Sequence, residues 1–204
     1  MFLTQKNAIR GLSVREFTTL CKLCHISKTM FDVGLDVVQQ YYLAEYPHLA
    51  YKSVYHQVKS NENYEFLSHD IAQQTLNFVD RAFKSFVKFI EAVCDCLYFP
   101  TVNTPYYLPQ RGYFMLMIPR IRVKDGFFDG SMSPTFRTKY GEVRIPFPKR
   151  LVSKIVKAVR IIPRYEARFF KIEFIIIHAD GKGVANILKK VTTIWISKEW
   201  LGGF

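Results

Sequence analysis

The spacing of apolar residues changes once along this 204-residue chain, and that change limits what it can fold into. From Ser13 to Val93 apolar side chains recur at helical intervals. Past the three prolines between Tyr98 and Pro109 they alternate in short runs broken by turn residues. A period of 3.6 buries one stripe of a helix and a period of two buries one face of a sheet, so a helical unit must be joined to a β unit. The predicted class is α+β.

Met1 to Arg10 alternates loosely and ends at Gly11, as a single strand would. Ser13-Val14-Arg15-Glu16 fits a capping box, so a helix should start there. Its stripe runs through Phe17, Leu20, Cys24, Phe31, Leu35, Val38 and Tyr42, with one gap at Lys28, to a stop at Tyr46-Pro47. A short helix is predicted over Tyr51 to Lys59, closed by a polar loop from Ser60 to Asn63. A third helix, capped by Ser68 or Asp70, carries Ile71, Thr75, Val79, Phe83, Phe86, Ile90 and Val93 on one face. Strands are predicted over Tyr113–Ile118, Ile121–Val123, Val143–Ile145, Lys157–Ile162 and Arg168–Ile177. The last two flank a hairpin loop, Pro163-Arg164-Tyr165-Glu166-Ala167. Phe170, Ile172, Phe174 and Ile176 share one face of the last strand, opposed by Lys171, Glu173 and Ile175. Five or more short antiparallel strands suggest a small barrel or sandwich.

Charge divides at the same place. Residues 11–95 hold eight basic and ten acidic side chains, whereas Arg111 to Lys171 hold fifteen Lys and Arg against four Asp and Glu. A strand region that basic needs a polyanion, and nucleic acid phosphate is the obvious one. Aromatic residues make up 16% of the chain, and Tyr beside basic residues can stack on unpaired bases, although most aromatics fill cores. The N-terminus lacks the apolar run of a signal peptide, and Phe169 to Ile177 is far shorter than the roughly 20 residues of a membrane span. The expectation is a soluble, cytoplasmic protein with one good core or two small ones, domains running to roughly 100 to 150 residues, and no membrane partner.

Cysteines fall as Cys21-x-x-Cys24, followed by His25, and Cys94-x-Cys96. The first pattern matches a haem-attachment signature and two pairs could hold zinc. Cys21 and Cys24 nevertheless sit at helical spacing on the stripe of Phe17, Leu20 and Phe31, where core thiols are the simpler reading. No cofactor and no metal is expected.

Five blocks in order carry a resemblance: the opening LTQKNAIRGLS; Cys24-His25-Ile26-Ser27-Lys28; Leu49-Ala50-Tyr51; Ala72-Gln73-Gln74-Thr75-Leu76 with Asp80-Arg81-Ala82-Phe83-Lys84-Ser85-Phe86; and Val159-Arg160-Ile161-Ile162-Pro163. Over about residues 1 to 178 the chain resembles the N-terminal half of TnpB proteins, the transposon-encoded RNA-guided endonucleases related to type V CRISPR effectors. The resemblance implies a three-helix recognition domain (residues 11–97) inserted into a small antiparallel, wedge-like β-barrel built from the first strand (1–10) and residues 98–178. It implies guide RNA as partner of the barrel, and double-stranded DNA next to the transposon end as partner of the helices.

By position in the matching blocks, DNA contacts fall to Tyr51, Tyr55, His69 and Gln73; Gln can pair bidentately with adenine, and Tyr and His reach base edges or sugar. Tyr51 can equally close a helix start, and His69 can equally be an exposed first-turn residue. On the barrel, Arg160, Arg164, Arg168 and Lys171 lie along or between paired strands, where alternate side chains share a face. Singly each is a solvated residue; together they favour RNA backbone contact. Intact members continue into a RuvC nuclease domain that opens with an Asp-x-Gly strand, and the residues after His178 do not follow that pattern. The resemblance therefore implies a binding protein without its own nuclease activity, with 179–204 a tail foreign to the fold, arising from a frameshift or early stop in a decaying gene. A small transposon-derived RNA- or DNA-binding regulator is the alternative. An enzyme of another kind would need a nucleophile and base at informative spacing, and none stands out.

Overall fold

A computed structural model describes residues 2–46, 49–94, 104–119, 135–145, 147–151 and 155–177. In chain order these form β1 (Phe2–Ala8), α1 (Val14–Leu43), α2 (Tyr51–Val58), α3 (Glu62–Leu67), α4 (His69–Cys94), β2 (Leu116–Pro119), β3 (Thr135–Thr138), β4 (Gly141–Arg144), a single 3-10 turn (Lys149–Leu151), β5 (Ile155–Arg164) and β6 (Phe169–Ile177). The class is α+β, as the change of period predicts.

The capping box forms as expected. Ser13 Oγ accepts from the Glu16 amide at 3.2 Å, and Glu16 Oε2 accepts from the Ser13 amide at 2.9 Å. The second Glu16 oxygen accepts from the Arg144 amide at 2.9 Å, so the helix cap also docks the β3–β4 hairpin. Burial disfavours this charge, but the hydrogen bonds from Ser13 and Arg144 outweigh it and hold the carboxyl below its ordinary range. The stripe of α1 is buried against α4, where a methyl group on Gly34 would come within 2.7 Å of Leu76 Cδ2. Lys28 does not interrupt the stripe. It is buried within it, its ammonium 2.8 Å from Asp32 one turn on.

Two boundaries differ from the sequence reading. The polar loop at Ser60 to Asn63 is cut short by α3, which Asn61 caps by accepting from the Asn63 amide at 2.9 Å. Six residues span under two turns, too few to show a period. The third predicted helix is therefore the fourth, and Ser68, at φ +70°, joins α3 directly to α4.

The main sheet is antiparallel in the order β1-β6-β5-β2, so the first strand pairs with the last and the helices are inserted between them. Among the described residues this sheet is open, where the sequence suggested closure into a barrel. β2 pairs over only Leu116–Pro119, and β3 with β4 forms a separate two-stranded sheet that packs on α1 instead of extending the first. The strand predicted over Tyr113–Ile118 is β2, which starts only at Leu116, and Ile121–Val123 lies outside the described residues. The alternation in β6 holds: Phe170, Ile172, Phe174 and Ile176 are buried, with Phe17 of α1 at 5.5 Å from Phe170 and Phe147 at 5.4 Å from Phe174.

The β5–β6 turn is conformationally costly. Tyr165, Glu166 and Ala167 have φ of 49°, 55° and 61°, three successive non-glycine residues in the left-handed region. L-residues pay roughly 1–2 kcal/mol there, whereas glycine does not. Glu166→Gly should therefore stabilise the chain by about 1 kcal/mol after allowing for the greater freedom of unfolded glycine. Equal urea midpoints for variant and parent would refute this.

Candidate nucleic-acid interface

Tyr51 and Tyr55 lie one turn apart at the start of α2, and His69 and Gln73 one turn apart at the start of α4. The fold brings all four around a residue that the sequence reading missed, Tyr64 of α3. The Tyr64 ring centre stands 5.8 Å from that of Tyr55 and 5.0 Å from that of His69, both edge-on. Tyr51 is close enough to interact electrostatically with Tyr55 and Tyr64. His69 is exposed, and Tyr51, Tyr55 and Gln73 are half-buried.

Tyr64 itself is fully buried, and among the described residues its hydroxyl has no hydrogen-bond partner. Gln73 and Tyr55 approach it without reaching bonding geometry. Burial, above all, pushes the phenol up to about 12, with the Tyr55 and Tyr51 hydroxyls adding to the rise and Gln73 opposing it. A buried donor without a partner costs roughly 1–3 kcal/mol, so Tyr64→Phe should stabilise by about 1 kcal/mol. A phenol raised in the folded state contributes stability that is intact below its unfolded value near 10 and is lost as pH climbs toward 12. Tyr64→Phe should remove part of that alkaline loss in urea titrations at pH 9 to 12. A destabilised variant with an unchanged alkaline limb would show that the hydroxyl is bonded after all.

Beside this cluster, α3 meets the β3–β4 hairpin through rings and cations. Lys139 Nζ sits 5.4 Å from the Phe66 ring centre, Phe66 lies 6.2 Å from Tyr140, and Lys22 Nζ is 5.6 Å from Tyr140. Lys22 and Lys139 remain exposed, held by ring faces and not by carboxylates.

The four basic residues named on the β unit do not behave alike. Register pairs Arg160 with Glu173, Ile162 with Lys171 and Arg164 with Phe169, so these side chains share the face opposite the core. Arg160 Nη1 is 3.3 Å from Glu173 Oε2, while Lys6 of β1 is 3.3 Å from Oε1. The Arg160 charge is thus matched inside the sheet, and it is the weakest of the four as a phosphate ligand. Arg164 and Arg168 are exposed at the turn and Lys171 is half-buried; no described carboxylate forms an ion pair with any of them. A second group missed in the sequence is Tyr165, exposed at the same turn with its ring 5.3 Å from Phe169.

Cys24 is fully buried and Cys21 half-buried, and burial raises both thiols, as expected of packing residues. His25 contacts the Gly112 carbonyl through Nδ1 at 3.2 Å and the Tyr113 ring, tying the segment before β2 to α1. The side chains of Cys94 and Cys96 lie outside the described residues. Among the described residues no group of three His, Cys, Asp or Glu could hold a metal ion, and no helix is long and apolar enough to cross a membrane.

No family model matches this chain, and no curated protein matches it. Chemically, the α2–α3–α4 cluster offers an amide, an imidazole and phenols at one spot, the set that reads base edges and sugars. The β5–β6 end offers unpaired cations beside an exposed ring, the set that holds a phosphate backbone and an unpaired base.

Proposed function

We propose that the chain binds nucleic acid as a TnpB-like unit of a transposable element, holding guide RNA on its basic sheet and contacting duplex DNA next to the transposon end through α2 and α4. In this reading the β1-β6-β5-β2 sheet corresponds to the family's wedge-like domain and the helices to its recognition domain. The observation that carries the reading is convergence. Tyr51 and Gln73 belong to separate motif blocks, Tyr55 and His69 lie one turn from them, and all four meet around one buried tyrosine. Support for the RNA side comes from the excess of Lys and Arg in residues 111–171 and from the unpaired Arg164, Arg168 and Lys171 on one hairpin. The matching blocks all belong to the binding half of the family, and the function we assign is binding, not cutting.

The test is equilibrium binding of a structured RNA and of a DNA duplex over a salt series. Counterion release predicts a log affinity that falls linearly with log salt, with a slope near the number of phosphates engaged. Affinity that does not respond to salt, or no binding at 50 mM salt, would overturn the reading.

A further inference from the structure

We propose that Tyr165, backed by Phe169 at the tip of the β5–β6 hairpin, is a stacking platform for one unpaired nucleobase of bound RNA, flanked by Arg164 and Arg168 as phosphate ligands. This rests on the RNA-binding reading above and adds to it a site and a ligand class.

Tyr165 is 75% exposed and its ring lies against one neighbour. Phe169 supports one side of it at 5.3 Å with the rings 40° apart. The backbone beneath it is fixed by the three left-handed residues, which the chain holds in place partly through Ala167, 3% exposed and packed in the core. Strain of this kind persists only where the surroundings over-determine it, and here it aims an aromatic ring outward. A ring held against a neighbour has less conformational entropy to lose when a base stacks on it.

The charges fit a nucleotide and not merely an aromatic partner. Cross-strand register sets Arg164 opposite Phe169, and Lys171 two residues further along β6 lies on the same face. Arg168 closes the turn and is exposed. The acidic group of the turn, Glu166, lines a hollow with Pro109, Arg111, Gly112, Tyr113, Pro163 and Ala167. Pro163 pairs with Phe170, whose ring is in the core, so the hollow lies toward the face opposite Arg164 and Phe169. Base stacking with nearby cations is the usual way single-stranded nucleic acid is held without sequence readout.

The experiment compares two RNA probes, a fully paired 20-base-pair duplex and the same duplex closed by a single-stranded loop, against the parent chain, Tyr165→Ala and Tyr165→Phe. The parent should prefer the looped RNA, and Tyr165→Ala should lose about 5- to 100-fold in affinity for it with no change in the duplex affinity or in the salt slope. Tyr165→Phe should bind as the parent does, since the ring and not the hydroxyl stacks. Parent binding with no loop preference, or a looped-RNA affinity unchanged in Tyr165→Ala, overturns the platform and leaves the RNA-binding reading standing. Failure of the parent to bind either RNA overturns both. Tyr165 is exposed, so its loss should leave the urea midpoint at the parent's value, and a shifted midpoint would make the residue a structural one.

Discussion

Replacing Arg164, Arg168 and Lys171 together by alanine should lower RNA affinity by about 100- to 500-fold at roughly 0.1 M salt. Each neutralised phosphate contact takes about 0.7 to 0.9 from the slope of log affinity against log salt, so three take about 2 to 3. The loss follows from that slope, because at tenfold dilution from 1 M salt each contact is worth about five- to eightfold. Arg160→Ala should behave differently. Its guanidinium is already matched by Glu173 at 3.3 Å, so its removal should leave the slope nearly intact while costing stability, because the buried carboxylate keeps Lys6 alone of its two cations. A triple variant with the parent's slope would mean that RNA, if bound, lies elsewhere. An Arg160→Ala slope change as large as one contact would mean that Glu173 releases Arg160 when RNA arrives.

The contrast between Arg160 and its three companions marks where sequence reading stops. Alternation in β6 is local, and it placed Phe170, Ile172, Phe174 and Ile176 on one face correctly. Which residue lies opposite Glu173 depends on the hairpin register, set by a turn whose residues are not those that usually favour positive φ. Alternation sets Glu173 on the face opposite those four apolar residues, but it does not show that Glu173 is 5% exposed between Lys6 and Arg160. The capping box at Ser13 was legible because both partners lie within one turn. α3 was not, because six residues give no period, and with it Tyr64, the centre of the helical cluster, went unseen. Closure of the sheet is the expectation from strand number and from the resemblance, but edge pairing is decided by contacts distant in sequence, and β2 is too short to extend far. The four DNA-contact positions came from motif resemblance, since nothing in their own spacing relates α2 to α4.

Asp32→Ala should be the most destabilising of the substitutions considered, at about 3–5 kcal/mol. Lys28 and Asp32 face each other at 2.8 Å with side chains 11% and 16% exposed, and removing one partner of such a pair leaves the other charge buried without compensation. Asp32 also accepts from the Leu108 amide at 3.1 Å. The same strand of chain is fastened to α1 by Gln39, which donates to the Pro105 carbonyl at 2.7 Å, and by the Tyr107 hydroxyl, which donates to Asp36 at 2.9 Å. Residues 104–108 thus form a strap that lays the approach to β2 along the helical half, and Asp32 holds both the strap and the buried ammonium. Lys28→Met should also destabilise, because it leaves the buried Asp32 carboxylate without its cation, but by less than Asp32→Ala, since Asp32 keeps its bond to the Leu108 amide. In Asp32→Ala, adding Lys28→Met should recover most of the loss but not all, since the Leu108 amide stays unpaired at a cost of roughly 1–3 kcal/mol. Urea denaturation of the four species closes this cycle. If Lys28→Met gave no recovery in the Asp32→Ala background, the strap alone would account for the role of Asp32, and the charge on Lys28 would have found water or another partner.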